Sequence, residues 1–101
     1  MYFVYILLLK NNTVYKGSTG DLKRRINEHK LGKVKSTRNY RPMRLIHYEC
    51  YLLKSDAERR EKYLKTTEGK YFLNQQIKDL FNKIVKEKNG EVPEWLKGAP
   101  C

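Results

Sequence analysis

The pattern of apolar and polar positions predicts a β-hairpin at the start of the chain. Residues 2–9 are apolar or aromatic almost throughout and stop near Asn11 and Asn12, a turn composition that tolerates positive φ. Residues 13–16 then form the partner strand, which Gly17 closes. The first strand is hydrophobic on both faces, so we expect it to be buried.

The rest of the chain predicts a helix, a loop, a third strand and two more helices. Apolar residues at i, i+4 and i+7 predict a helix over 21–30 that a glycine ends. A polar, basic loop follows over 33–42, and a less hydrophobic strand, suited to a sheet edge, over 44–51. A Ser-Asp-Ala-Glu capping box opens a helix over 55–65, and apolar spacing predicts a last helix over 71–86.

This order, β-β-α-β-α-α, predicts an α+β fold with a small antiparallel three-stranded sheet flanked by helices. A chain of 101 residues has room for one core. We expect the domain to cover residues 1–88, because the sequence after Asn89 and Gly90 has neither helical nor strand periodicity. Residues 89–101 are then predicted to be an irregular C-terminal tail.

The charge is strongly positive and unevenly placed. The chain has 22 Lys and Arg against 11 Asp and Glu, a net charge of +11. The segment 16–44 contains most of this excess, with Asp21 and Glu28 as its acidic residues. Scattered lysines often serve solubility alone, but this clustering favours a polyanionic partner. We expect phosphate contacts from Lys16, Lys33, Lys35, Arg38 and Arg41.

Nucleic acid is a better partner than a membrane for this charge. No basic amphipathic helix with a Trp, Phe or Leu face is evident, and residues 2–9 are too short to cross a bilayer and lack the features of a signal peptide. Cys50 and Cys101 form neither a disulfide framework nor a zinc motif. We therefore expect a cytoplasmic protein with free thiols and no membrane association.

Glu61 has an unusual place in its predicted helix. On a helical wheel it shares the apolar stripe of Ala57 and Leu64, whereas Glu58 lies in the capping box. A carboxylate that faces inward needs a cation. An internal ion pair with a lysine or arginine is the ordinary explanation, and a metal ion is the alternative.

Four other side chains are candidates for the same chemistry. Arg25 and His29 flank the apolar stripe of the first predicted helix one turn apart, and Tyr5 and Tyr15 lie on the two strands of the hairpin. Each has a structural explanation: a histidine on an apolar face is usually a core residue, arginine stems pack along apolar surface, and tyrosines are common in strands. Together they suggest a shared site at one edge of the sheet.

In combination these residues resemble the GIY-YIG nuclease superfamily. Phe-Val-Tyr at 3–5 and Tyr-Lys-Gly at 15–17 stand where Gly-Ile-Tyr and Tyr-Ile-Gly are expected. Residues 21–29 resemble the catalytic helix of the family, and Glu61 occupies the metal-ligand position. The resemblance covers residues 2–72, and the chain most resembles the small stand-alone bacterial members.

Two positions depart from the family pattern. Phe3 replaces the glycine of the first triplet and Lys16 the isoleucine of the second, but these are structural positions and both tyrosines are kept. The family often has an asparagine beyond the glutamate that supports the site, and Asn74 is the candidate here.

The resemblance implies a metal-dependent endonuclease that hydrolyses DNA phosphodiester bonds by a one-metal, activated-water mechanism. Glu61 would bind Mg²⁺ or Mn²⁺, and Arg25 would neutralise a phosphate oxygen. Tyr5 would accept a proton from the attacking water, while Tyr15 and His29 would position the water and the phosphate.

Two other functions compete with this interpretation. A non-catalytic nucleic-acid-binding module could have the same scaffold, and a basic structural protein of the ribosomal type would explain the charge but not Glu61. We expect a monomer. Two sources of specificity stay open: the protein could recognise flexible, branched or single-stranded DNA directly, or a partner protein could target it to its substrate.

Overall fold

A computed structural model describes residues 1–88, so the predicted tail over 89–101 lies outside the described residues. Within this part of the chain, no helix has both the length and the apolarity to cross a membrane. The residues divide into two compact units, Met1–Lys62 and a second that begins at Tyr63. The elements, besides a 3-10 helix at Arg38–Tyr40, are β1 (Tyr2–Leu8), β2 (Val14–Thr19), α1 (Leu22–Lys30), β3 (Arg44–Tyr51), α2 (Lys54–Leu64), α3 (Thr67–Gln76) and α4 (Lys78–Lys88).

The three strands form one antiparallel sheet in the order β2-β1-β3, which confirms the predicted α+β fold and places β3 at an edge. The central β1 is the most apolar strand because both of its faces are covered, and residues 4–7 are buried. In the register of the sheet, Tyr5 lies between Gly17 of β2 and Tyr48 of β3. Tyr5 is therefore at the centre of the sheet.

Helix α1 packs on the face of the sheet that carries Tyr5. Its N-cap is Asp21, whose carboxylate accepts a hydrogen bond from the backbone amide of Arg24 at 3.1 Å. Ile26 is buried with residues of β1 and β3 in a core cluster of Tyr5, Leu7, Leu9, Ile26, Met43 and Leu45. The predicted helix over 21–30 is confirmed, and its packing fixes the positions of Arg25 and His29.

Two predicted boundaries in the first unit are wrong. Strand β2 continues past Gly17 to Thr19, because the missing side chain of Gly17 leaves room for the ring of Tyr5 without breaking the strand. Helix α2 begins at Lys54, so Ser55 is its second residue and not its N-cap. The amide of Ala57 already donates to the carbonyl of Leu53, at 3.3 Å, which leaves no place for the predicted capping box.

The second unit contains two helices where the sequence predicts one over 71–86. Helix α3 begins after Thr66, whose hydroxyl accepts a hydrogen bond from the amide of Gly69 at 3.0 Å. It ends at Ile77, which leaves helical geometry with φ of −119° and ψ of 39° before α4 begins. Leu73 and Ile84 are buried on opposite sides of this break, so the apolar spacing continues through it.

Candidate active site

Three aromatic rings meet where β1, β2 and α1 come together. The ring centroids of Tyr5 and Tyr15 are 6.3 Å apart, those of Tyr5 and His29 5.6 Å, and those of Tyr15 and His29 5.2 Å. Tyr15 pairs with Leu7 in the register, so it lies diagonally from Tyr5 on the same face of the sheet. The hairpin and the helix thus bring together three of the predicted site residues.

Gly17 explains how Tyr5 reaches this position. It pairs directly with Tyr5, and a Cβ atom placed on it would lie 2.5 Å from the Tyr5 hydroxyl oxygen. Any larger residue would therefore push the tyrosine away from its place across β2. The requirement for glycine at this point of the strand is steric, since Gly17 has no positive φ.

His29 is fully buried and has a polar partner on each ring nitrogen. Its Nε2 atom is 2.9 Å from the Tyr5 hydroxyl, and its Nδ1 atom is 2.8 Å from the hydroxyl of Thr37. The Thr37 hydroxyl lies 3.5 Å from the backbone carbonyl of Val34, to which it donates its proton. Thr37 then accepts from Nδ1, so we assign the proton of the neutral ring to Nδ1 and the lone pair to Nε2.

The electrostatics of the two buried rings agree with this assignment. Burial, together with the nearby Arg25 guanidinium, lowers the pKa of His29 to about 4. Burial raises the pKa of Tyr5 to about 12, against the opposing effect of its hydrogen bond from Arg25. At neutral pH a neutral phenol therefore donates to a neutral imidazole.

Arg25 connects this buried pair to the surface. Its side chain is 36% exposed and forms an ion pair with Glu28, at 3.1 Å between Nη1 and Oε1. The hydrogen bond to Tyr5 is the main cause that raises the pKa of Arg25. The guanidinium remains cationic, and it is the member of the group that an anion from solvent can reach.

Glu61 approaches the site from helix α2. Its Oε1 atom accepts a hydrogen bond of 2.6 Å from the hydroxyl of Ser18 in β2. The orientation predicted from the helical wheel matches the burial: Ala57 is buried, Glu61 half-buried and Glu58 exposed. The charge of Glu61 also contributes to the raised pKa of Tyr5, after burial and the Tyr15 hydroxyl, so this carboxylate is electrostatically coupled to the tyrosine.

The donor atoms near Glu61 fit a hard divalent cation better than a metal that needs several protein ligands. Among residues 1–88, no group of three or more His, Cys, Asp or Glu side chains is placed to hold a metal ion. Mg²⁺ keeps most of its water ligands and binds proteins through one or two carboxylates together with substrate phosphates. Glu61 is a half-buried carboxylate, and this mode of binding needs no more than one or two carboxylates from the protein.

A second charged cluster holds α2 against β3. Arg60, the neighbour of Glu61, donates to both carboxylate oxygens of Glu49, at 3.0 and 3.3 Å. His47 and Tyr51 also contact this carboxylate, at 3.1 and 2.8 Å. Although burial opposes it, these hydrogen bonds lower the pKa of Glu49 to about 2. The cluster therefore restrains the helix one residue from Glu61, and the sequence analysis did not identify it.

The predicted phosphate contacts differ in their surroundings. Lys33, Lys35 and Arg38 are exposed on the loop after α1. Arg41 is also exposed, but its guanidinium donates to the carbonyls of Arg38 and Lys30 at 2.9 and 3.4 Å, so it helps to hold the loop in shape. These four contacts stay predictions.

Two other predicted residues lie away from that loop. Lys16 is only 8% exposed, and it lies on the face of the sheet opposite Tyr15. Asn74 is an exposed residue of α3 in the second unit. Their predicted roles, in phosphate binding and in support of the site, also stay predictions.

Sequence reasoning missed two polar residues that complete the site. Thr37 lies in the segment predicted to be a surface loop, yet it is fully buried against His29. Ser18 follows the Tyr-Lys-Gly triplet and contacts Glu61 across the fold. A small polar residue after a motif is too common to be a signal, and both contacts depend on tertiary structure.

The chain matches a known family over the sheet and the helices that carry these residues. A family model described as "GIY-YIG catalytic domain" matches residues 1–77, so the chain belongs to the GIY-YIG family. This confirms the resemblance inferred from the motifs, and it supports a nuclease-type function.

Similar proteins include small stand-alone ones from bacteria and archaea. A UPF0213 protein of Clostridium perfringens is 37% identical over 92 residues, covering 90% of this chain and 95% of the relative. A UPF0213 protein of Haloquadratum walsbyi is 37% identical over 82 residues, covering 78% and 92%. The solution NMR structure of a UPF0213 protein from Bacillus halodurans aligns with a TM-score of 0.50 at 36% identity, covering 76% of this chain and 86% of that one.

Proposed function

We propose that the protein is an endonuclease that hydrolyses DNA phosphodiester bonds with the help of one divalent metal ion, Mg²⁺ or Mn²⁺. One observation carries the proposal: the Tyr5 hydroxyl is hydrogen-bonded to the neutral imidazole of His29, beside the cationic Arg25 and in the field of Glu61. A proton acceptor, a cation for phosphate and a carboxylate for a metal ion are the groups that phosphodiester hydrolysis requires.

Tyr5 and His29 act as one proton-accepting unit. With pKa values of about 12 and 4, prior transfer of the tyrosine proton to the imidazole would cost about 11 kcal/mol. That is most of the roughly 16 kcal/mol barrier that corresponds to a turnover of about ten per second. The transfer therefore accompanies the attack: Tyr5 takes the proton of the water while Nε2 of His29 takes the proton of Tyr5.

The other groups orient and neutralise the phosphate. Arg25 binds a non-bridging oxygen with the donors that are not used by Glu28 and Tyr5. Tyr15, whose ring contacts that of His29, positions the water and the phosphate. Glu61 would hold the metal ion, which stabilises the charge that develops on the phosphate.

DNA affinity comes mainly from the basic surface. The exposed side chains of Lys33, Lys35 and Arg38 would follow the phosphate backbone, which gives affinity with little choice of sequence. We place the protein in the cytoplasm, where an exposed free thiol at Cys50 stays reduced. We expect it to act as a monomer. Substrate choice then depends on the structure of the DNA or on a partner protein that targets the enzyme.

A non-catalytic nucleic-acid-binding module is the second candidate. The charge of +11 supports both functions equally, and the pairing of Arg25 with Glu28 and of Glu61 with Ser18 would also suit a site that serves stability alone. Only cleavage distinguishes the two. The test is to incubate the pure protein with end-labelled DNA and RNA of single-stranded, duplex and branched structure, with Mg²⁺, Mn²⁺ or EDTA.

Single and double variants test whether the residues form one catalytic unit. Tyr5→Phe removes only a hydroxyl, whereas Arg25→Ala removes the phosphate clamp together with the ion pair to Glu28 and the hydrogen bond to Tyr5. Each should abolish most cleavage, and the double variant should lose little more than the worse single one. Two results would show that these residues do not form one catalytic unit. In the first, the loss of cleavage in the double variant is the product of the two single losses; in the second, the loss in each variant is explained by the fraction of protein that is unfolded.

A further inference from the structure

A pocket lies on the flank of helix α1 that faces away from Arg25. Lys23, Asn27 and Lys30 are spaced at i, i+4 and i+7, so they line one side of the helix, while Arg25 lies on the other. The pocket between this side and the sheet has a volume of about 680 Å³. That is within the range of sites that hold a small organic group.

The floor of this pocket is aromatic. Phe3 of β1 and Tyr48 of β3 meet edge to face, with ring centroids 6.2 Å apart and an interplanar angle of 62°. Ile26 of α1 adds a buried apolar surface. Tyr48 is 47% exposed although it lies beside the buried Tyr5 in the register, so much of its ring is open to a ligand.

The rim of the pocket is cationic. Lys23 and Lys30 are exposed at its edge. The one acidic side chain among the described lining residues, Asp21, is the N-cap of α1 and accepts the amide of Arg24. An aromatic floor with lysines at its rim suits a ligand that combines a flat ring with negative charge. A nucleobase with its flanking phosphates has this chemistry.

We propose that this pocket, formed by Phe3, Lys23, Ile26, Asn27, Lys30 and Tyr48, captures one unpaired base of the DNA substrate. The base stacks on Tyr48, the amide of Asn27 faces its polar edge, and the two lysines hold the neighbouring phosphates. Paired residues of antiparallel strands are about 4.5–5.5 Å apart, so the stacking residue is one strand from the catalytic Tyr5.

This inference rests on the proposed nuclease function and gives it a substrate class. A base inside a duplex cannot enter the pocket without being unstacked and unpaired, which costs a few kcal/mol. Single strands, flaps and junctions offer such a base at no cost. The pocket therefore favours DNA with unpaired bases close to the scissile bond, and it selects them by structure and not by sequence.

The test is a binding experiment without metal, so that it does not depend on cleavage. Fluorescence anisotropy in EDTA compares a labelled oligothymidine with an oligonucleotide of equal length in which the bases are replaced by abasic sites. The two have the same phosphates. We expect the wild-type protein to bind the oligothymidine at least about 5-fold more tightly, which corresponds to the lower end for one base stacked on an aromatic ring.

Substitution of Tyr48 assigns the preference to the pocket. Tyr48→Thr keeps strand propensity and should remove the preference, while Tyr48→Phe should retain it. Tyr71→Ala is the matched control, because Tyr71 is also an exposed aromatic residue but lies on α3 and does not line the pocket. Circular dichroism checks that each variant is folded.

The outcomes of this experiment distinguish the pocket inference from the nuclease proposal. Equal wild-type affinities for the two oligonucleotides, or a preference that survives in Tyr48→Thr, would overturn the pocket inference. If the wild-type protein cuts DNA but shows no preference, only this inference fails. If it shows the preference through Tyr48 and never cuts DNA, the pocket stands and the nuclease proposal fails.

Discussion

Acid should destabilise this protein through one buried side chain, the imidazole of His29. Burial lowers its pKa from 6.5 to about 4, so between these pH values the unfolded chain binds a proton that the folded chain does not. The contribution of His29 to the free energy of unfolding is therefore fully present above about pH 6.5, and it is lost as the pH is lowered toward 4. Since one pKa unit is worth about 1.4 kcal/mol, the loss from pH 7 to pH 4 amounts to about 3 kcal/mol.

A loss of this size is easy to measure, because small domains have only about 5–15 kcal/mol of stability. Urea unfolding followed by circular dichroism between pH 4 and pH 8 gives the free energy of unfolding of the wild type and of His29→Gln. We expect the variant to be less stable at pH 7 and to lose the slope between pH 6.5 and 4.5. Glu49, with a pKa lowered from 4.5 to about 2, adds its own loss only below that interval in both proteins.

An equal slope in the two proteins between pH 6.5 and 4.5 would refute this reasoning. An NMR titration supplies the direct check, because the ring proton of His29 should change its chemical shift with a midpoint near pH 4. A midpoint near 6.5 would mean that burial does not lower the pKa of His29, and the loss of stability in acid would then need another cause.

Three further predictions concern the surroundings of the site. Thr37→Val removes the hydroxyl that orients the imidazole and should lower kcat about tenfold with little change in KM, whereas Thr37→Ser should restore it; steady-state kinetics checks both. Gly17→Ala overpacks the site, which costs about 1–3 kcal/mol in urea unfolding, and should reduce cleavage more than tenfold. Replacing Lys35 and Arg38 by serine should flatten the dependence of log affinity on log salt by about 0.9 per lost contact on duplex, measured by anisotropy; an unchanged slope would place the DNA elsewhere.

The convergence of Tyr5, Tyr15 and His29 could be predicted because it follows from local periodicity. Strand alternation and a short turn put both tyrosines on one face, and helical spacing turns His29 toward that face. The same argument put Glu61 on the inner side of α2. The directions of these side chains follow from the periodicity of a single strand or helix, and that periodicity can be read from the sequence.

The remaining contacts depend on tertiary structure. Thr37 reaches His29 only because the loop after α1 folds back over the end of the helix, and no periodicity encodes that path. The break at Ile77 was missed because apolar spacing records which side of a helix is buried and not whether the backbone is continuous. The start of α2 was misplaced because Ser55 has the composition of a cap without its position.

Cleavage by two glutamate variants of α2 tests the central claim most directly. Glu61→Gln keeps the shape of the half-buried side chain but removes the charge that would hold the metal ion, and Glu58→Gln makes the same change at an exposed position one turn away. On a labelled branched DNA, the wild type and Glu58→Gln should cut with Mg²⁺ or Mn²⁺ and not with EDTA. Glu61→Gln should be slower by about 100-fold or more, with DNA binding unchanged.

Two results would contradict the proposed role of Glu61 or the nuclease function itself. Cleavage that persists in Glu61→Gln and disappears in Glu58→Gln would mean that the wrong carboxylate has been assigned to the metal ion. A wild-type protein that binds this DNA and never cuts it, whichever divalent metal is supplied, would instead identify a nucleic-acid-binding module.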